Sequence, residues 1–266
     1  MKAYLSFFKL RFAVQLQYRA AAVASLTTNF FFGMVRVMVF QAFYASSTLA
    51  QPLTLQQTVT YTWMAQATFR LQPFNLDKES IEMIRTGNIA YELCRPLHLY
   101  FVWYFRLMSF RLVPALLAGT PIIVVAYLLP GDYGMMLPAS PAAAVAWIIS
   151  TFFALLLSCA ISNLVSVSTL WTISAVGIQS MFLVITGVLS GLYIPLSFFP
   201  DGMQTVLRIL PFGGLLDIPL RFYLGLVPAS DIFSLGLLQL FWILAFIFTG
   251  VALLNQGIKR VVVQGG

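Results

Sequence analysis

The sequence predicts an all-α polytopic membrane protein. Residues Tyr133–Pro200 form a run of sixty-eight residues without Asp, Glu, Lys, Arg or His. About twenty apolar helical residues cross a hydrocarbon core of about 30 Å, so this run holds two crossings with turns between them. The chain is 60% hydrophobic and 9% charged, whereas soluble domains carry about a quarter charged residues. We therefore expect one transmembrane domain over residues 1–266.

Six apolar stretches are predicted to span the membrane. Their bounds are Ala24–Ala45, Gln57–Leu76, Leu112–Leu129, Ala142–Leu164, Thr172–Leu192 and Ile232–Leu254. The second stretch is the weakest, because Thr, Gln and Tyr side chains and Arg70 dilute it. The third contains Pro114 and Pro121, which are tolerated where neighbouring helices satisfy the freed backbone groups.

The distribution of basic residues predicts that both termini lie inside. With that orientation eleven Lys and Arg residues fall in inner segments, and only Arg208 and Arg221 fall outside. The inner residues are Lys2, Lys9, Arg11, Arg19, Lys78, Arg85, Arg95, Arg106, Arg111, Lys259 and Arg260. Short cytoplasmic loops are enriched in Lys and Arg, and this rule also explains the net charge of +7 better than nucleic-acid binding does.

Two non-spanning segments are predicted on the inner face. Residues 1–22 are expected to form an amphipathic interfacial helix, whose apolar stripe is Leu5, Phe8, Phe12 and Leu16. Residues 77–111 hold nine of the twenty-three Asp, Glu, Lys and Arg residues of the chain. Asp77 is placed to begin one short helix there and Gly87 to end it, while Asn88 is placed to cap a second helix that closes before Pro96.

The predicted outer connection between spans five and six, residues 193–231, has a different character. It is too apolar for a solvated loop, and Pro195, Pro200, Pro211 and Pro219 interrupt it too often for a spanning helix. We expect a pair of short re-entrant or interfacial helices with their irregular backbone buried in protein.

The sequence lacks the motifs of several common enzyme classes and of ion-coupled transporters. None of the lysines, which are Lys2, Lys9, Lys78 and Lys259, follows a glycine in a GxxxxGK[ST] phosphate loop. His98 is the only histidine, and neither a GxSxG elbow nor an HExxH helix is present. The predicted spans contain no Asp or Glu, which disfavours ion-coupled transport. We therefore expect a chain that is not an enzyme, binds no cofactor or metal, and takes energy from a partner.

Two regions resemble the permease subunits of ATP-binding-cassette transporters of the second exporter class. Arg85–Ala90 and Leu93–Leu97 are similar to the coupling-helix region between spans two and three of those permeases. Ser190–Pro195, Phe199–Pro200 and Leu210–Phe212 are similar to the signature that leads from their fifth span into paired external helices. The six-span layout extends the resemblance over nearly the whole chain.

The resemblance implies the partners and the location. Two permeases, identical or related, would combine with two cytoplasmic ATPases that bind ATP and Mg²⁺, in a bacterial plasma membrane; we favour two different permeases. The implied function is export of an undetermined substrate, and the alternatives are a secondary transporter or channel without an ATPase, and then a scaffold protein. The residues expected to couple to the ATPase are Glu82, Arg85, Gly87 and Arg95.

Polar residues within the spans are candidates for the translocation pathway. Thr172, Gln179 and Thr186 recur every seven residues in the fifth span, and Thr62 and Gln66 share a helix face with Thr58 in the second. These faces either line the pathway or form hydrogen-bonded helix packing. Arg36 is near the middle of the first span, where an unpaired Arg costs about 2.5–3.5 kcal/mol. It either faces a hydrated vestibule or has a buried partner such as a carbonyl.

Overall fold

The computed structural model describes residues 2–17, 19–172 and 175–259, and the regular elements within these ranges are all helical, as predicted. The α-helices are α1 (Lys2–Gln17), α2 (Arg19–Ser46), α3 (Leu55–Ala67), α4 (Lys78–Arg85), α5 (Ile89–Leu93), α6 (Leu99–Pro114), α7 (Thr120–Leu128), α8 (Pro141–Ser168), α9 (Ala175–Leu189), α10 (Asp201–Ile209), α11 (Asp217–Tyr223) and α12 (Ile232–Ile258). A π-helical turn, Ala115–Gly119, joins α6 to α7.

Four of the described helical segments are long and apolar enough to cross a membrane. They cover Ala24–Ser46, Leu99–Leu128, Pro141–Ser168 and Ala229–Ile258. They correspond to the first, third, fourth and sixth predicted spans. Their length and composition make the chain a multi-pass membrane protein.

The second and fifth predicted spans contain shorter helices. Helix α3 has 13 residues and α9 has 15, which correspond to lengths of about 20 and 22 Å at 1.5 Å per residue. Each is shorter than a hydrocarbon core of about 30 Å. The fifth predicted span also contains residues 173 and 174, which lie outside the described ranges, as does Arg260 of the predicted inner C-terminus. Six spans with both termini inside stay a prediction.

The third spanning segment begins earlier than predicted. It starts at Leu99 rather than at Leu112, so the charged inner segment does not extend to Arg111. The sequence-based boundary counted Arg106 and Arg111 as loop residues. In the structure both side chains are buried and paired: Arg106 forms an ion pair with Asp77, and Arg111 donates to backbone carbonyls.

Helix α8 is central to the bundle and packs against α6, α11 and α12. Helix α3 is buried on every side from Thr58 to Ala67 and contacts α2 and α7. The π-helical turn approaches its C-terminal end closely, since a Cβ atom on Gly119 would lie 2.3 Å from the Ala67 carbonyl oxygen. Only glycine fits there.

Helix α1 packs across α6 through a face that coincides only in part with the predicted apolar stripe. The Tyr4 ring stacks on Phe105 with ring centroids 5.8 Å apart, and the Ser109 hydroxyl donates to the Phe8 carbonyl over 3.2 Å. Leu5 and Leu16 of the stripe are exposed. The helix is therefore fixed to the bundle by aromatic packing.

The connection between α9 and α12 contains two short helices, as expected. Helix α10 exposes Met203, Val206 and Ile209, which is typical of an interfacial helix. Helix α11 is buried except around Arg221 and packs on α8. The 3₁₀ turn Gly213–Leu215 before α11 enters the bundle, because a Cβ on Gly214 would lie 3.1 Å from Leu157 in the middle of α8.

Candidate functional site

The charged segment after α3 begins with a capped helix. The Asp77 carboxylate accepts a hydrogen bond from the Glu79 backbone N–H over 3.2 Å, so Asp77 is the N-cap of α4 as predicted. The helix ends at Arg85, and Gly87 follows with a φ of +74°. This left-handed conformation favours glycine and explains why the chain turns there.

The N-terminal end of α4 is fixed to two other helices by ion pairs. Arg106 of α6 pairs with Asp77 and, over 3.1 Å, with Glu79. Arg11 of α1 lies 2.9 Å from the same Glu79 carboxylate. Because Arg106 is only 8% exposed, its pairs are less screened by solvent than an ordinary surface pair, whereas Arg11–Glu79 is partly exposed. Movement of α4 is therefore tied to α6 and α1.

The C-terminal end of α4 presents Glu82 and Arg85 to solvent. Their side chains are 55% and 75% exposed, and they lie 3.0 Å apart. The Glu82 carboxylate raises the pKa of Arg85 through a hydrogen bond and Coulombic attraction. In the isolated chain the two predicted coupling residues therefore pair with each other, and because both side chains are exposed to solvent this pair adds little to stability.

Helix α5 adds an exposed aromatic residue that the sequence analysis missed. Tyr91 is 77% exposed and Leu93 is 43% exposed, and beside them Arg95 pairs with Glu92 over 3.2 Å. The prediction that the Asn88 side chain caps this helix is wrong, since it makes no capping hydrogen bond and its backbone is already helical. A Tyr surrounded by charged residues was the available signal for an interface, because Tyr and Arg are enriched at interface hot spots.

The polar face of α3 is turned into the protein. Thr62 and Gln66 are each 3% exposed, and the Thr62 hydroxyl donates to the Thr58 carbonyl over 2.8 Å. A Cβ on Gly33 of α2 would lie 3.2 Å from the Gln66 side chain. These contacts favour the packing interpretation for both residues, and pathway lining stays a prediction.

The three polar residues of the fifth predicted span have different surroundings. Thr172 precedes α9 and is exposed. Gln179 is half-buried and donates to the Phe74 carbonyl over 3.0 Å. Thr186 is fully buried. Thr172 is exposed and Gln179 is partly exposed, whereas Thr186 would reach a pathway only after a conformational change.

Arg36 has the carbonyl partner that one interpretation required. Its guanidinium donates to the Leu192 carbonyl oxygen over 3.0 Å and lies 5.6 Å from the centre of the Tyr193 ring. Leu192 is the last residue of the fifth predicted span, and Tyr193 directly follows it. Arg36 therefore holds α2 against the start of the connection to α10.

Asp217 is a buried acidic residue within the predicted outer connection, residues 193–231. It begins α11, is fully buried, and lies 3.8 Å from Arg208 of α10. Burial raises its pKa to about 6, although Arg221, Arg208 and a backbone hydrogen bond at Leu196 act in the opposite direction. The Tyr61 hydroxyl of α3 belongs to the same cluster, because it is buried close enough to Asp217 and Arg208 to interact electrostatically with both.

These features define a helical multi-pass membrane protein in which charged, non-spanning helices are fixed to a spanning bundle. Residues 30–265 match the family described as ABC-2 family transporter protein. The chain therefore belongs to the ABC-2 family and is a permease component of an ATP-binding-cassette transporter, which confirms the resemblance found in its motifs. A comparison with curated proteins gives no match.

Proposed function

We propose that this chain is the membrane-spanning subunit of an ATP-driven exporter, and that a cytoplasmic ATPase docks on α4 and α5. Two ATPases would bind the ATP and Mg²⁺, and a second permease, related or identical, would complete the pathway in a bacterial plasma membrane. The predicted topology, with six spans and both termini inside, would place α4 and α5 on the cytoplasmic face. Membership of the ABC-2 family supports the transport role.

One observation carries the docking proposal: α4 is fixed at one end and exposed at the other. Its N-terminal end is held by Arg106 and Arg11, whereas Glu82, Arg85 and Tyr91 extend into solvent. A partner that pushes on the exposed end would move α6 through the buried pair Arg106–Asp77 and α1 through the partly exposed pair Arg11–Glu79. A loosely attached helix would absorb such a push without moving the bundle.

The pathway residues fit this proposal as elements that change partners during transport. Gln179 and Arg36 each donate to one backbone carbonyl at a connection between elements. A small movement of α9 or α2 would free either donor toward the space between two permeases. Thr62, Gln66, Thr172 and Thr186 would contribute polar surface along the same space.

Purification in mild detergent tests the proposal. We expect mass spectrometry of the purified protein to identify a P-loop ATPase at a fixed stoichiometry. ATP hydrolysis by the purified complex should then depend on the presence of this chain. Purification without a P-loop protein, from cells in which all of its chromosomal neighbours are expressed, would contradict the proposal.

A second candidate, ion-coupled transport without an ATPase, is favoured by Asp217 alone. A buried carboxylate whose pKa is about 6 can exchange a proton near neutral pH. Arg208 and Arg221 lie close enough to affect its titration, so the local charge is already compensated. Transport that persists without ATP and stops when a protonophore collapses the proton gradient would favour this candidate.

A further inference from the structure

Arg111 is a buried cation held by oxygen atoms that carry no full charge. It is 1% exposed, and the ion pairs of the described residues do not include it. Its guanidinium donates to the carbonyls of Gln72 and Asn75 and to the Ser162 hydroxyl. Because burying a charge without a counter-charge is costly, a structural tether alone would be made more cheaply by a neutral side chain.

The segment 72–75, which Arg111 holds, also connects to two other parts of the bundle. The Gln72 side-chain amide donates to the Leu215 carbonyl over 3.2 Å, and Leu215 ends the 3₁₀ turn that enters the bundle before α11. The Phe74 carbonyl accepts from Gln179 of α9 over 3.0 Å. Thus α6, α9 and the turn Gly213–Leu215 are all hydrogen-bonded to these four consecutive residues, and α8 is bonded to Arg111 through Ser162.

These four residues lie just before α4 in the chain. Only Leu76 separates Asn75 from Asp77, the N-cap of α4, and Asp77 is paired with Arg106 on the same helix as Arg111. A shift of α4 therefore pulls directly on the segment that holds Leu215. The carbonyls of Gln72 and Asn75, at the two ends of this segment, accept the hydrogen bonds from Arg111. A movement of the segment therefore changes the position of its backbone relative to Arg111.

We propose that Gln72 and Arg111 are positioning residues that transmit movement of α4 to the buried turn Gly213–Leu215 on the predicted outer side. The proposal rests on the proposed function, since the ATPase supplies the movement. In this arrangement ATP-driven displacement of α4 moves segment 72–75, and Gln72 carries that displacement to the turn and to α11.

Gln239 provides a matched control for this proposal. Its side-chain amide donates to the Gly214 carbonyl over 2.7 Å, in the same turn, and it is 1% exposed against 2% for Gln72. It belongs to α12 and has no bond to segment 72–75. Gln239→Leu therefore removes a buried bond to the turn, together with the two bonds between Gln239 and Ser150 of α8, without cutting the connection to α4.

The experiment measures hydrogen–deuterium exchange in the complex with its ATPase, in lipid nanodiscs. Exchange in peptides covering residues 210–224 is compared without nucleotide and after trapping with ATP, Mg²⁺ and vanadate. We expect trapping to change exchange in the wild-type protein, and Gln72→Leu to reduce that change at least twofold while the ATPase stays bound and hydrolyses ATP. Gln239→Leu should keep the change, and Arg111→Lys should keep more of it than Arg111→Met.

Each outcome decides between the alternatives. Equal loss in Gln72→Leu and Gln239→Leu would mean that both residues merely stabilise the turn, and would overturn the inference. A change in exchange on trapping that is as large in Gln72→Leu as in the wild type would overturn it as well. If Arg111→Met fails to assemble, the result for Gln72→Leu alone decides. A wild-type protein that binds no ATPase would overturn the proposed function and the inference together, which distinguishes that failure from the first two.

Discussion

The Asp217 carboxylate lies 3.8 Å from the Arg208 guanidinium in a fully buried position between α10 and α11. Arg221 and Tyr61 are the other titratable groups that influence this site. Burial outweighs the attraction of both arginines and raises the pKa of Asp217 to about 6. The site therefore binds a proton more readily in the folded protein than in the unfolded chain.

This pKa predicts how stability depends on pH. A carboxyl whose pKa is raised on folding contributes stability below its ordinary pKa of about 3.9, and that contribution is lost as the pH rises through about 6. Asp217→Asn does not titrate, so its Tm relative to wild type should increase between pH 4.5 and pH 7.5. Thermal unfolding in detergent measures this difference. Asp201→Asn, on the exposed side of α10, is the control, and a Tm difference for Asp217→Asn that is constant over this range would refute the prediction.

Arg36 allows a test between a structural and a pathway role. We expect Arg36→Met to lower the free energy of unfolding by about 1–3 kcal/mol, because the charged hydrogen bond to Leu192 and the contact with Tyr193 exceed the cost of burying the charge. Arg36→Lys should retain part of this stability. Unchanged unfolding together with altered transport would instead show that Arg36 faces a hydrated vestibule.

The predicted topology can be tested with single cysteines. Leu49 is 78% exposed between α2 and α3, and Thr86 is exposed at the end of α4. In a background where Cys94 and Cys159 are replaced, Leu49→Cys should react with an impermeant thiol reagent added to intact cells. Thr86→Cys should react only after permeabilisation. Labelling of Thr86→Cys in intact cells would place α4 outside and remove the proposed ATPase contact.

Charge reversal at Glu82 and Arg85 separates pairing with each other from pairing with a partner. Glu82→Lys and Arg85→Glu should each reduce the amount of ATPase that co-purifies. The double variant restores the internal ion pair with its charges exchanged. If the two residues only pair with each other, the double variant should recover wild-type binding. We expect binding to stay low, because the partner then meets the wrong charge at both positions.

Local signals in the sequence were sufficient for some elements. Asp77 and Gly87 mark the ends of α4 correctly, because capping and a positive φ depend on residues close in the chain. The long apolar helices follow from composition in the same way. These features need no knowledge of distant partners.

Other features depend on partners far away in sequence and were missed. Arg106 and Arg111 resembled loop residues, but Asp77 and the carbonyls of segment 72–75 allow them to be buried in a helix. Asp217 was not singled out from the sequence, because its burial depends on the packing of α11 against α8. The spacing of the polar residues along α3 fits a pathway lining and helix packing equally well. Only the contacts of Thr62 and Gln66 in the structure favour packing.

The central claim, that an ATPase docks on α4 and α5, is tested most directly at Tyr91. Its ring is 77% exposed between two charged pairs, and alanine preserves the helix while it removes the aromatic contact. A hot-spot residue contributes about 2 kcal/mol or more, which corresponds to about a 30-fold change in Kd. We measure the Kd of the purified ATPase for the chain in nanodiscs, with Tyr133→Ala on the predicted outer face as the control. The account predicts about 30-fold weaker binding for Tyr91→Ala and no change for Tyr133→Ala, and equal Kd values for Tyr91→Ala and wild type would contradict it.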